Sequence, residues 1–113
     1  MLKISVEYFG PSKQFTDNIS SEEITLENGS LILLFLYLHA TYGLSFVKYV
    51  IRSCGMALNY EYIELDINAR EIINSASDET LSEILLEIFQ LEELQLELKN
   101  GDEVAIIPPV SAG

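Results

Sequence analysis

The chain of 113 residues has one cysteine, one histidine and no tryptophan. A single thiol, Cys54, forms no internal bridge, so the fold must rest on a packed core, and the chain suits a reducing compartment; the cytosol is the default expectation. Cys54 and His39 are the sole members of any nucleophile pair, and nothing in their spacing brings them together. The simpler reading makes Cys54 a small buried hydrophobe and His39 a helix-surface or cap residue. Basic residues are scarce as well: six Lys and Arg stand against 18 Asp and Glu, a formal net charge of −12. So acidic a surface repels phosphate backbones and excludes nucleic acid as a partner. It favours association with a basic protein surface, mainly through the encounter rate, although charge alone signals no more than solubility. The acidic pairs Glu22-Glu23, Asp78-Glu79 and Glu92-Glu93 are adjacent in sequence without calcium-loop spacing, so they read as solvated faces and no metal site is expected. Lys48 and Arg52, four apart on a helical stretch, read as a surface pair, with a small docking patch as the alternative. The six glycines form neither a phosphate loop nor a dinucleotide fingerprint. No apolar run approaches the ~20 residues that span a bilayer; the longest, Leu31 to Leu38, stops at His39. The first residues already alternate as a strand, so no signal or transit peptide is expected.

What is present is apolar residue, 49% of the chain, enough to exclude disorder and to build one domain spanning residues 1–113. Leu2, Ile4, Val6 and Tyr8 alternate with Lys3, Ser5, Glu7 and Phe9, a strand with one core face. Gly10-Pro11-Ser12 breaks it, and a polar loop runs through Asp17 to Ser21. Ile24 and Leu26 alternate with Glu23, Thr25 and Glu27 as a second strand. Asn28-Gly29 turns the chain and Ser30 is placed to cap a helix. Leu31, Leu34, Phe35, Leu38 and Tyr42 fall on one face of that helix, and Gly43 stops it. A second helical piece, Leu44 to Ser53, leads into a strand over Met56 to Ile63. Leu94, Leu96 and Leu98 predict a further strand, and Val104 to Ile107 a last, buried one.

The closing residues are the most informative. Asn100-Gly101 supplies turn chemistry, because both residues tolerate positive φ. After the strand, Pro108 and Pro109 cannot donate ladder hydrogen bonds, so pairing ends and the chain leaves extended. Val110, Ser111, Ala112 and Gly113 then form a small tail expected to offer a terminal carboxyl.

The string Gly101-Asp102-Glu103-Val104, apolar residues, Pro108-Pro109 and a terminal glycine resembles the end of the molybdopterin synthase small subunit, a ubiquitin-like sulfur carrier of the MoaD/ThiS type. Ala112 departs from that family, which has glycine before the last residue. Ala57-Leu58-Asn59, with Glu61-Tyr62 after it, is also similar to a family strand. The resemblance covers roughly Met1 to Leu65 and Leu94 to Gly113, and it implies an α+β, β-grasp fold in which a mixed sheet packs on a helix. It implies further that the carboxyl of Gly113 is adenylated by an E1-like enzyme at the cost of ATP and converted to a thiocarboxylate. Its sulfur would then pass to cyclic pyranopterin monophosphate to build the molybdopterin dithiolene. The expected partners are the large catalytic subunit of molybdopterin synthase, in a heterotetramer, and the adenylating and sulfurating enzyme. No cofactor would be bound permanently, no side chain of the chain need be catalytic, and neither nucleic acid nor membrane takes part. Pro108, Pro109, Val110, Ser111 and Ala112 would be the residues of tail insertion. The alternatives are another β-grasp sulfur carrier, a ubiquitin-related modifier, or a β-grasp interaction module that carries nothing.

The segment 66–93 lies outside the family pattern and reads as an inserted helix. Leu81, Ile84, Leu85, Ile88 and Phe89 form an apolar stripe. Thr80 with Glu83 is a possible capping box, and Ser77 an alternative cap. The first helix is apolar nearly all round, with Ile32, Leu33, Leu36 and Tyr37 off its core face. Such a helix is normally covered on every side, so the inserted helix is expected to pack on that extra face or to join a partner interface.

Overall fold

A computed structural model describes residues 1–63, 65, 67–91 and 97–109. Alternation sets the first two strands, β1 (Leu2–Tyr8) and β2 (Ser21–Leu26). Ile4, Val6, Tyr8, Ile24 and Leu26 are buried while the residues between them are not. The strands pair antiparallel with Ile4 opposite Ile24, so the apolar sets share one face. Between them, Gly10–Gln14 form a 3-10 turn held by the buried Ser12 hydroxyl, which donates to the Phe9 carbonyl at 2.6 Å.

Helix α1 (Leu31–Tyr42) begins as expected, with the Ser30 hydroxyl accepting from the Ile32 amide. It ends at Gly43, whose φ of 95° favours glycine. That same glycine opens α2 (Leu44–Ser53), which buries Phe46, Val47, Val50 and Ile51. The single strand expected over Met56 to Ile63 is a hairpin instead. Strands β3 (Gly55–Leu58) and β4 (Glu61–Ile63) pair antiparallel across Asn59 and Tyr60, both at positive φ (51° and 72°). Two consecutive left-handed residues make the tight turn whose twist suits a hairpin. The last strand, β5 (Glu103–Ile107), runs parallel to β1 and antiparallel to β3, so the sheet order is β2-β1-β5-β3-β4. The strand predicted from Leu94, Leu96 and Leu98 falls largely outside the described residues; Glu97 forms an isolated bridge with Ser30, and Leu98 is buried.

Among its described residues, the segment from 66 to 93 holds two helices, not one: α3 (Ile67–Ile72), continued by a 3-10 turn over Ile73–Ser75, and α4 (Leu81–Leu91). Ser77, not Thr80, caps the approach to α4. Its hydroxyl accepts from the Thr80 amide while the Thr80 hydroxyl accepts from the Ser77 amide, a reciprocal pair with threonine where glutamate was expected. Leu81, Leu85 and Ile88 are buried, and α4 packs on α1. The contact runs through Phe35, whose ring stacks on Phe89 with centroids 5.5 Å apart. Ile32, Leu33, Leu36 and Tyr37 are half-buried against the same core. The helices thus take up the inner face of the sheet and bury α1 among themselves, and the outer face of β1, β5, β3 and β4 is left uncovered by any described element.

Candidate functional site

Two features of the β5 region make up the site. The first is the end of the strand. Its entry is locked by a web of short polar bonds: the Gly101 amide, at φ 90°, donates to the Lys3 carbonyl, and the Lys3 amide donates to the Asn100 side chain, both at 2.8 Å. Asp102 accepts from the Lys99 amide at 2.7 Å and from the Asn59 side-chain amide at 2.9 Å, and these bonds hold its carboxyl below the usual range. Asn59 also accepts from the Glu103 amide and donates its own backbone N–H to the Glu103 carbonyl. The hairpin turn that the sequence reading missed is therefore the clamp that positions β5. At the far end, the Phe9 amide donates to the Ile106 carbonyl, and Pro108 is buried beside Gly10, whose absent Cβ would lie 3.8 Å from the Pro108 ring. Pro109 is exposed. The backbone is thus held through Ile107, which pairs with Gly55, and Pro108. The other expected site residues, Val110, Ser111, Ala112 and Gly113, lie outside the described residues.

The second feature is a groove of about 220 Å³ on the outer sheet face, next to this exit. Ala57, Ala105 and Ile107 form its floor, and Phe9, Tyr60 and Tyr62 its walls. Glu7 and Glu103 also line it. The Tyr60 hydroxyl bonds to the Glu103 carboxylate, which, with Glu7 nearby, raises its pKa above the ordinary tyrosine value. Phe9, Tyr60 and Tyr62 are exposed large rings, 45%, 88% and 68% accessible. Side chains this apolar, gathered on one open face, mark an interaction surface. Period-two alternation could have located the patch, since Phe9, Ala57, Ala105 and Ile107 all fall on the face opposite the core.

The remaining candidates separate from this site. Cys54 is buried and its thiol is pushed up to about 11 by desolvation, so it is no nucleophile. His39 lies 2.7 Å from Asp78 and ties α1 to the loop before α4. Lys48 and Arg52 both bond to Asn74, which makes them struts between α2 and the turn after α3. Glu22 is not the solvated residue expected from its pair with Glu23: it accepts from the hydroxyls of Tyr8 at 2.8 Å, Tyr37 at 2.6 Å and Tyr42. Its position two residues before Ile24 already placed it on the core face. Among the described residues no cluster of three or more His, Cys, Asp or Glu could hold a metal ion, and no helix is long and apolar enough to cross a membrane.

No family model and no curated protein matches the sequence. Solved structures do match. The chain is similar to a chain in the complex of subunits 1 and 2 of molybdopterin-converting factor from Helicobacter pylori 26695, at 23% identity and a TM-score of 0.55, covering 99% of this chain and 100% of that one. It is similar to the putative molybdopterin converting factor subunit 1 from Pyrococcus furiosus, at 21% identity and 0.61, covering 97% and 100%. It is also similar to small archaeal modifier protein 1 from Methanosarcina acetivorans, at 22% identity and 0.57, covering 100% and 98%. The chain has the β-grasp fold. At such low identities the likeness speaks for the fold, and it agrees with the mixed five-stranded sheet on its helices. In this β-grasp chain the two features of the site are neighbours: β5 lines the groove and leads directly into Pro108 and Pro109.

Proposed function

We propose that the chain is a β-grasp sulfur carrier of the molybdopterin-synthase type. The observation that carries this reading is the anchored end of β5. Pro108 is held beside Gly10 while Pro109 faces solvent, and the sequence then continues with four residues of modest size, Val110-Ser111-Ala112-Gly113. The apolar groove at the exit suits the docking of an enzyme that receives the tail. Two of the similar structures bear the name of molybdopterin-converting factor, one of them as a complex of its two subunits, which supports the large subunit as partner.

The chemistry follows from the carboxyl. A terminal carboxylate has a reference pKa of about 3.3–3.7 and is a poor acyl donor at neutral pH. Its oxygen must first attack the α-phosphate of ATP on an E1-like partner, releasing pyrophosphate and leaving an acyl adenylate. A sulfur nucleophile then displaces AMP to give the thiocarboxylate, and in the synthase that sulfur passes to cyclic pyranopterin monophosphate. Gly113 has no Cβ to crowd attack on its carbonyl, and the diproline lowers the entropy lost when the tail inserts. Adenylation and ATP use belong to the partner, and the carrier supplies the carboxyl, the reach and the docking face.

Incubating the purified chain with an E1-like adenylating enzyme, ATP and a sulfur donor tests the reading by intact mass. A gain equal to one oxygen replaced by one sulfur supports it, and the absence of any adduct overturns it. A second reading, a protein modifier, is favoured by the likeness to the archaeal modifier. It predicts covalent products on lysines of other proteins in the same mixture.

A further inference from the structure

The groove carries more chemistry than an apolar docking face needs. Glu7 on β1 and Glu103 on β5 both stand on the outer face, and the parallel register pairs Glu7 with Ala105, two residues beyond Glu103. Strand spacing and rise then put their backbones about 8 Å apart on a diagonal. Two acidic side chains so placed on one face attract a cation. Among the described residues the ion pairs are Lys3 with Glu23 and His39 with Asp78, so no described cation neutralises Glu7 or Glu103. The sheet surface beside them is alkyl: Ala105 lies next to Glu7, Ala57 lies across β5 from it, and Tyr60 and Tyr62 also line the groove. Its volume, about 220 Å³, falls below the ~300–1,000 Å³ of pockets that enclose small molecules. One long side chain is the better match.

We infer that this groove receives an arginine side chain of the docking partner, its guanidinium held between Glu7 and Glu103 and its alkyl stem lying on Ala57 and Ala105 against the tyrosine rings. The inference rests on the reading that a partner docks on this face, and it names the chemistry by which that partner is recognised. Arginine fits better than lysine because its flat, delocalised cation stacks on rings and presents donors in two directions, where an ammonium is a compact, strongly hydrated point. The methylene stem suits the apolar floor. An apolar anchor would leave Glu7 and Glu103 facing a dry contact without a counter-charge, Glu103 keeping only its bond from the Tyr60 hydroxyl, a costly arrangement. The wall depends on Gly55 as well: a Cβ there would come within 2.8 Å of the Tyr62 ring.

The test is a titration of the isotope-labelled full chain, followed by amide resonances. The probe is a blocked tripeptide with arginine between two leucines, and its control has the neutral isostere citrulline in place of arginine. The expected result is saturable shifts centred on Glu7, Ala57, Tyr60, Tyr62 and Ala105, weakened about fivefold or more by citrulline. The double variant Glu7→Gln/Glu103→Gln weakens binding by a similar factor, whereas Glu79→Gln/Glu87→Gln, which removes the same charge from exposed positions of the other face, leaves it unchanged. Spectra of both variants report whether the fold is kept. Equal binding of the citrulline peptide, equal weakening by the distant pair, or no shifts in the groove at millimolar peptide overturns the inference. The mass assay for sulfur loading does not involve the groove peptide, so failure here leaves the carrier reading standing and failure there leaves this one measurable.

Discussion

Replacing Leu85 by alanine tests whether the segment between β4 and β5 belongs to the core or merely decorates it. Leu85 is fully buried, with Leu81 and Ile88 on the same face of α4 and Phe89 stacked on Phe35 of α1. Truncation to alanine removes the equivalent of about three methylenes at ~0.8 kcal/mol each, and incomplete collapse of the cavity adds to this. A loss of about 3 kcal/mol results, a large part of the ~6–17 kcal/mol expected for a domain of this length. With an unfolding entropy of roughly 2.1 cal/mol/K per residue, that loss lowers the melting temperature by about 13 °C. Leu86, next in sequence but 46% exposed, is the control, and its alanine variant stays within about 0.5 kcal/mol of the parent. Thermal melts followed by circular dichroism, with denaturant titrations for the free energies, measure both. If Leu85→Ala moved the melt no further than Leu86→Ala, α4 would not be an integral layer and the packing argument would fail.

Further predictions concern the backbone, the tyrosines and the tail. Gly29→Ala would place a Cβ 2.1 Å from the Leu98 carbonyl oxygen, and because that neighbour is backbone the variant loses about 2–3 kcal/mol in denaturant titrations; an unchanged midpoint would refute the close approach. The Tyr8 hydroxyl is held protonated far above its ordinary value by burial and then by Glu22, and Tyr42 is raised for the same reasons. The unfolded chain therefore releases these protons first, near pH 10, so stability is intact below about pH 10 and falls as pH rises beyond it, Tyr8 alone contributing a slope near 1.4 kcal/mol per pH unit. Tyrosinate absorbance should show hydroxyls that ionise only as the protein unfolds, and a free titration of all six tyrosines near pH 10 would contradict this. Glu22→Gln moves part of that late absorbance to lower pH, although burial keeps Tyr8 raised. In the sulfur-transfer reaction Ala112→Gly speeds turnover by about tenfold, because alanine at a position needing positive φ, or its methyl in a tight channel, costs ~1–3 kcal/mol; equal rates in single-turnover assays would show that the methyl is indifferent.

Much of the molecule was legible in the chain because its signals are local. Alternation in Leu2 to Tyr8 and in Ile24 to Leu26 set two strands and their buried faces. The Ser30 cap and the Gly43 stop bounded α1, since capping and left-handed φ depend on single residues. The hairpin at Asn59-Tyr60 escaped because tyrosine rarely takes positive φ. What holds it there is a set of bonds to Asp102 and Glu103, more than forty positions away in sequence. The same distance effect hid the role of Glu22. Its place on the inner face of β2 followed from alternation, but the three hydroxyls that satisfy it come from β1 and α1.

The candidate site divides along the same line. The sequence by itself determined that the chain ends a strand with Pro108-Pro109 and small residues, because proline lacks an amide proton and a fixed φ is a property of one residue. It also determined the acidity and the apolar stripe of α4. Only the tertiary structure decided that Phe9, Ala57, Tyr62 and Ala105, drawn from four different strands or strand ends, meet on one open face beside that exit. Only it brought Glu7 and Glu103 to the lining of one groove, because the parallel pairing of β1 with β5 joins strands at opposite ends of the sequence.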